Sequence, residues 1–330
     1  MTDSYDLHAH CVVPAVWALV EGQDGRQAEA ERQAAGMGPA SAALNARLAR
    51  EWGPQLIDPA ARLAAMDRMG LDVQVVSPAP TEYHYWADPA LAGEVCRALN
   101  EGVADHVTAA PDRLVGLGMI ALQHPDLAAE QLTAAVRDLG LRGAMISTHV
   151  EGTDLSHDRL TPVWAAAEAV GAVLFLHPWG CSLDERLDRS YLYNVVGNPT
   201  ETTLALSHLI FGGVLDRHPG LRICAAHGGG YLPYYPGRAD HAHRVREDSR
   251  TCARPPSEYL HELWFDSVVH DPVTLRHLID RVGPGQVVLG TDFPFDMGLD
   301  DPLGLLDAVP DLTPEERDAV AGANAERLLS

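Results

Sequence analysis

Near its start the chain reads Tyr5-Asp6-Leu7-His8-Ala9-His10-Cys11, with two histidines two residues apart at the end of an apolar-biased run. On a β-strand, residues i and i+2 project to the same side, so this spacing aims two imidazoles at one point. Neutral imidazole is the commonest protein ligand for divalent metals. One such pair among sixteen histidines carries little weight alone, and two polar residues at a strand end would read the same way.

Three later apolar runs end in the same chemistry. Val173-Leu174-Phe175-Leu176 leads into His177-Pro178-Trp179, and Ile223-Cys224-Ala225-Ala226 into His227-Gly228-Gly229-Gly230. Val287-Val288-Leu289-Gly290 leads into Thr291-Asp292-Phe293-Pro294. Three histidines and an aspartate suit a single zinc with one open coordination position. A base works beside such a metal, not on it, and the three glycines after His227 set its backbone in an unusual turn. The expected ligands are therefore His8, His10, His177 and Asp292, with His227 as the acid–base residue. Cys11, next to His10, faces the other side of its strand and is not expected to ligate.

Those strand ends must share one face of a fold, and the remaining pattern says which. From Asp58 onward, helical and apolar segments alternate. Helices are predicted over Pro59–Gly70, Leu91–Ala110, Leu127–Leu139, Thr161–Val170, Thr200–Phe211, Val273–Val282 and Pro314–Leu329, with Tyr231–Glu247 partly helical. Strands are predicted over Val73–Ser77, Leu114–Ala121, Gly143–Ser147, Val173–His177, Arg222–His227, Leu263–Ser267 and Gln286–Gly290. With the first strand there are eight. Continuously apolar strands are buried on both faces, as in a parallel sheet covered by helices. The expected fold is an α/β (β/α)8 TIM barrel, whose chemistry sits where strands enter their following loops. An open doubly wound sheet is the alternative, and its GxGxxG phosphate loop is missing. One domain is expected over 1–330. Residues 14–57 form an insertion after strand one, helical over Gln27–Arg50 with a break at Gly36, Gly38 and Pro39. It reads as a lid, or as a surface hairpin without a role.

Composition narrows the chemistry. The formal charge of -22 argues against nucleic-acid partners. No stretch is long and apolar enough for a membrane span. The five cysteines are scattered and make neither a disulfide framework nor a CxxC site. The acidic N-terminus lacks a basic-then-apolar leader, so the cytoplasm is expected. All basic residues are arginine. Without lysine there is no Schiff base, and no carbamylated lysine to bridge two metals.

The set His8-Ala9-His10, His177-Pro178-Trp179, His227-Gly228-Gly229-Gly230 and Gly290-Thr291-Asp292-Phe293-Pro294-Phe295 resembles the amidohydrolase superfamily. It is most similar to the 2-amino-3-carboxymuconate-6-semialdehyde decarboxylase branch. Tyr85-Trp86-Ala87-Asp88-Pro89, Val115-Gly116-Leu117-Gly118, Thr148-His149-Val150, Pro199-Thr200-Glu201-Thr202-Thr203, Gly237-Arg238 and Val269-His270-Asp271-Pro272 extend the likeness across nearly the whole chain. The resemblance implies a zinc-dependent, non-oxidative decarboxylase with one metal per subunit, manganese being the other option, and no organic cofactor. It implies a homodimer in which Arg238 enters the neighbouring subunit's site. It implies a second substrate arginine before Asp58, either Arg50 or Arg47, with Arg50 favoured. Phe295 matches a pocket aromatic. Trp179, His149 and His270 match positions beside the site. The small-molecule substrate would be 2-amino-3-carboxymuconate-6-semialdehyde or a related ortho-substituted aromatic or dienoic carboxylate. One departure is Asn194, which stands where that branch carries a pocket tryptophan and makes the pocket wider and more polar. Tyr83 and His84 also differ from an apolar pair in that branch. Two rival readings keep the fold: metal-assisted hydrolysis or hydration of a lactone or dienoate, and a non-catalytic metal-stabilised binding protein.

Overall fold

Helix boundaries follow local chemistry. Asp58 caps the helix Pro59–Met69 by accepting the Ala60 N–H through its side chain, Pro59 fills the first turn, and Gly70 ends it at φ 70°. Similar proline starts open most of the longer helices. The computed structural model describes residues 3–330. We label its main helices α1 (Asp24–Met37), α2 (Pro39–Ile57), α3 (Pro59–Met69), α4 (Pro89–Thr108), α5 (Pro125–Arg137), α6 (Thr161–Val170), α7 (Asn198–Phe211), α8 (Pro236–Val245) and α9 (Pro272–Val282).

The strands are β1 (Tyr5–Cys11), β2 (Val73–Pro78), β3 (Leu114–Gly116, resumed at Gly118–Met119), β4 (Gly143–Ile146), β5 (Val173–Leu176), β6 (Arg222–Ala225), β7 (Trp264–Asp266) and β8 (Val287–Val288). Each pairs in parallel with the next from β1 to β8, the two segments of β3 joining β2 on one side to β4 on the other. Leu7 N–H donates to Leu289 O at 2.9 Å, His10 N–H donates to Phe293 O at 2.8 Å, and Ala9 bridges Phe293 in parallel. Those bonds close the sheet on itself, so the fold is the expected (β/α)8 barrel. Leu7, Val75, Met119, Met145, Phe175, Cys224, Phe265 and Leu289 of the strands and their ends are buried.

The strand predictions hold in place but not in length. β3 is interrupted at Leu117, although the Leu117 N–H still bonds Val76 O. β8 pairs over two residues only, because the chain beyond it turns early to present Asp292. The final helix contains a π turn at Ala319–Ala323 between Pro314–Asp318 and Asn324–Leu329. Among the described residues no helix is long and apolar enough to cross a membrane.

The insertion forms α1 and α2, broken at Gly38 (φ 76°). One stripe of α1 lies against loops that follow the barrel strands. Glu29 accepts the indole N–H groups of Trp86 (3.0 Å) and Trp179 (3.4 Å), and Gln33 accepts the Tyr193 hydroxyl. Gly25 and Gly36 share this stripe. A methyl at Gly25 would lie 2.3 Å from the Trp86 ring, and one at Gly36 would lie 2.9 Å from Tyr193. From α2, the Trp52 ring packs edge-on against Phe295 at 5.2 Å.

Candidate metal and acid–base site

Each strand-end residue reaches the same point. His8 and His10, side by side on β1, are fully buried and bring their Nε2 atoms within 3.1 Å. His177 follows β5; its Nδ1 faces Pro178 O at 2.9 Å, and its buried Nε2 has no hydrogen-bond partner among the described residues. Asp292 follows β8 at φ 60°. Its Oδ1 lies 3.3 Å from His8 Nε2 and 3.2 Å from His10 Nε2. One ligand atom from each of His8, His10, His177 and Asp292 falls within 4.8 Å of the others, all four residues being buried. Converging imidazole lone pairs and a carboxylate, with His177 Nε2 left unmatched, fit a divalent cation.

His227 stands beside this group. Its Nε2 is 3.5 Å from the other oxygen of Asp292, Oδ2, and its ring centroid is 5.0 Å from that of His177. It heads a run of left-handed residues, His227 (φ 55°), Gly228 (60°), Gly229 (74°) and Gly230 (65°). The glycines make this turn accessible, and the histidine bears the strain. One Asp292 oxygen thus faces the His8/His10 pair and the other faces His227.

Burial disfavours charge throughout the site. It lowers His10 to about 4 and holds His177 well below the usual imidazole range. His8 goes the other way. Burial opposes its charge, but Asp292 and then Asp266 raise it to about 10. Burial also works against Asp292, yet His8 and the neighbouring imidazoles hold it well below the carboxylate range.

Two supporting groups escaped the sequence reading. Asp266, the last residue of β7, is fully buried, and its Oδ2 is 2.6 Å from His8 Nδ1. Its only advance signal was its place at a strand end, like the ligands. Beneath β1 lies a buried polar chain. Arg62 of α3 donates to His10 O, to Gln74 Oε1 (2.6 Å) and to His106 Nε2 (3.0 Å). Gln74 donates to Asp6 (2.7 Å), which accepts the Thr291 hydroxyl (2.6 Å) and the backbone N–H groups of His8 and Thr291. An arginine on the apolar face of a predicted helix was the signal available for it.

The metal cluster opens through His227 into a cavity of about 410 Å³. Asn194, Asn198, Tyr234, His270 and Met297 line it, and no arginine does among the described residues. Phe295 covers His10, with ring centroids 5.4 Å apart. Trp179 is held by Glu29 of the lid stripe. The arginines are elsewhere. Arg47 and Arg50 are exposed on α2, roughly 140° and 160° around the helix from Trp52 at 100° per residue. Arg238 is exposed at the start of α8. His149 lies 4.0 Å from Glu201. His243 bonds Cys252 O and His241 bonds Arg244, both away from the cluster.

A family model described as Amidohydrolase matches residues 5–330. A 2-amino-3-carboxymuconate-6-semialdehyde decarboxylase from Dictyostelium discoideum is 33% identical over 326 residues, covering 98% of this chain and 90% of that protein. The crystal structure of a 5-carboxyvanillate decarboxylase from Sphingomonas paucimobilis superposes with TM-score 0.84 at 26% identity, covering 100% of this chain and 99% of that one. A 2,6-dihydroxybenzoate decarboxylase crystallised with 2,6-dihydroxybenzoate superposes with TM-score 0.83 at 25% identity, with the same coverage.

Proposed function

The chain belongs to the amidohydrolase family, and from that premise we propose that it releases CO2 from 2-amino-3-carboxymuconate-6-semialdehyde or a related ortho-substituted aromatic or dienoic carboxylate. It is a metal-dependent decarboxylase. The observation that carries this reading is the sharing of Asp292, with Oδ1 at the His8/His10/His177 cluster and Oδ2 at His227.

In this reading His8, His10, His177 and Asp292 hold one metal ion per chain. Zinc is the preferred ion for three imidazoles and a carboxylate, with manganese the alternative. When bound, it supplies a Lewis acid for the substrate's carboxylate and neighbouring oxygen. His227 carries the proton. Its imidazolium form delivers a proton to the carbon bearing the carboxylate, the C–C bond to that carboxylate breaks, and its electron pair returns to the ring or diene as CO2 departs. Phe295, Trp179 and Asn194 orient the substrate, Asn194 offering an amide in place of an indole. The residues 14–57, docked through Glu29 and Trp52, act as the lid of a single domain over 1–330.

A carboxylate substrate needs cationic partners, and no arginine lines the cavity among the described residues. We assign that role to Arg238 of a second copy, in a homodimer, and to Arg50 or Arg47 of the insertion. An exposed apolar rim supports the second copy: Val195 and Tyr231 at the cavity, with Leu204, Tyr235 and Val273 nearby, are 42% to 70% exposed. We place the protein in the cytoplasm, where the buried thiols of Cys11, Cys96, Cys224 and Cys252 stay reduced.

Two measurements test this reading. Anaerobic assay of the metal-loaded protein on muconate semialdehydes and hydroxybenzoates should release CO2; turnover of a lactone without CO2 would replace decarboxylation by hydrolysis. Mixing inactive Arg238→Ala with inactive His227→Ala should restore up to about a quarter of parental activity, because random pairing leaves one intact site in half of the dimers. No recovery, with subunit exchange verified, removes Arg238 from the partner's site.

A further inference from the structure

The mechanism uses His8 and His227 but leaves unexplained why Asp266 is placed between them. Asp266 ends β7 and is fully buried. Its two oxygens do different work. Oδ2 lies 2.6 Å from His8 Nδ1. Oδ1 accepts the N–H of Gly228 at 2.8 Å and of Val268 at 3.1 Å. Gly228 is the residue after His227, inside the left-handed turn. Gly290 makes the close approach possible, since a methyl there would sit 3.0 Å from the Asp266 Cβ and 3.1 Å from the His8 Cβ.

We propose that Asp266 is the positioning residue that ties the metal cluster to the acid–base histidine. One oxygen sets the tautomer of His8, and the other sets the turn that carries His227. As an acceptor, Oδ2 holds one His8 proton on Nδ1, so Nε2, beside His10 and Asp292, is the nitrogen that gives up its proton and serves a metal. Oδ1 pins the first peptide beyond His227 and so fixes how far its ring reaches toward Asp292 Oδ2. A carboxylate is required, because three donors converge on it and an amide can satisfy only some of them. The inference rests on the assignment of His8 as ligand and His227 as acid–base residue, and it goes beyond that assignment in joining the two.

The test uses two variants. In Asp266→Asn the amide turns its oxygen to the two backbone N–H groups, since its NH2 group there would oppose both. The NH2 group then faces His8 Nδ1 and favours the wrong tautomer. The expected result is a 10- to 100-fold weaker affinity for zinc or manganese, measured by chelator competition, with kcat within about threefold of the parent at saturating metal. Asp266→Ser reaches neither partner but leaves a hydroxyl and room for water at the orphaned N–H groups. It should show the same affinity loss and, at saturating metal, a kcat at least tenfold below that of Asp266→Asn, with a displaced pH profile. Parental metal affinity in Asp266→Asn overturns the proposal. So does a low kcat in Asp266→Asn that saturating metal does not restore, or equal kcat in the two variants. Should Asp266→Ser not fold, its metal-free unfolding transition will show it, and the two Asp266→Asn readouts decide alone. If the unmodified protein binds no metal or releases no CO2, the functional reading fails instead.

Discussion

Arg62→Met removes the buried cation beneath β1, and its effect can be worked from the contacts. Arg62 is fully buried and has no carboxylate in direct contact among the described residues. Its loss orphans three buried acceptors, His10 O, Gln74 Oε1 and His106 Nε2, and removes a weaker, part-buried contact to Gln55 O at 3.4 Å. Burial keeps His106 neutral, at about 4, so its ring nitrogen accepts in the folded state. At ~1–3 kcal/mol for each buried acceptor left without a donor, the gross loss is ~3–9 kcal/mol. Burial also lowers Arg62 to about 10, so discarding the cation returns ~3 kcal/mol. Methionine refills most of the volume, so little cavity cost is added, and the expected net destabilisation is about 3 kcal/mol, the middle of the ~0–6 kcal/mol that remains. Urea unfolding of the chain in excess chelator, followed by tryptophan fluorescence, measures it without a contribution from metal binding. Metal affinity should fall as well, because the His10 carbonyl loses its anchor. A stability change under about 1 kcal/mol would refute the idea that this network holds the end of β1.

Elemental analysis should find one divalent metal per chain; two per chain would contradict a centre built from three imidazoles and a single carboxylate. His227→Ala should keep the metal and lose ~10²–10⁴ in rate, whereas His177→Ala should lose both; equal metal loss in the two would erase the distinction between ligand and acid–base residue. Metal binding must displace the second proton of His8, so apparent affinity should rise roughly tenfold per pH unit from pH 6.5 toward about 10, read by chelator-buffered titrations, and a flat profile would contradict this. The same raised His8 has a definite sign for folding. Its contribution to the metal-free chain is complete below about 6.5 and is lost as pH rises through about 10.

Much of this protein was readable from its chain. Strand and helix periodicity are local properties, and so is the residue at which an apolar run stops. Eight such runs sufficed for the barrel, and His8, His10, His177, His227 and Asp292 were legible because a barrel gathers its strand ends at one face. The composition alone excluded lysine chemistry. What the chain order could not supply are the contacts made when distant strands meet. Asp266 lies 258 positions from His8, and nothing near it in sequence says which histidine it will meet. Arg62 looks like a misplaced charge on an apolar helix face until the barrel brings Gln74, His106 and the His10 carbonyl around it. The direction of Arg47 and Arg50 away from Trp52, the docking of Glu29 onto two indoles and the lack of arginine in the cavity wall among the described residues likewise depend on where the insertion settles. Local propensity acts over a few residues, whereas these arrangements come from closure of the barrel and the packing of a lid onto it, so only the tertiary structure decides them.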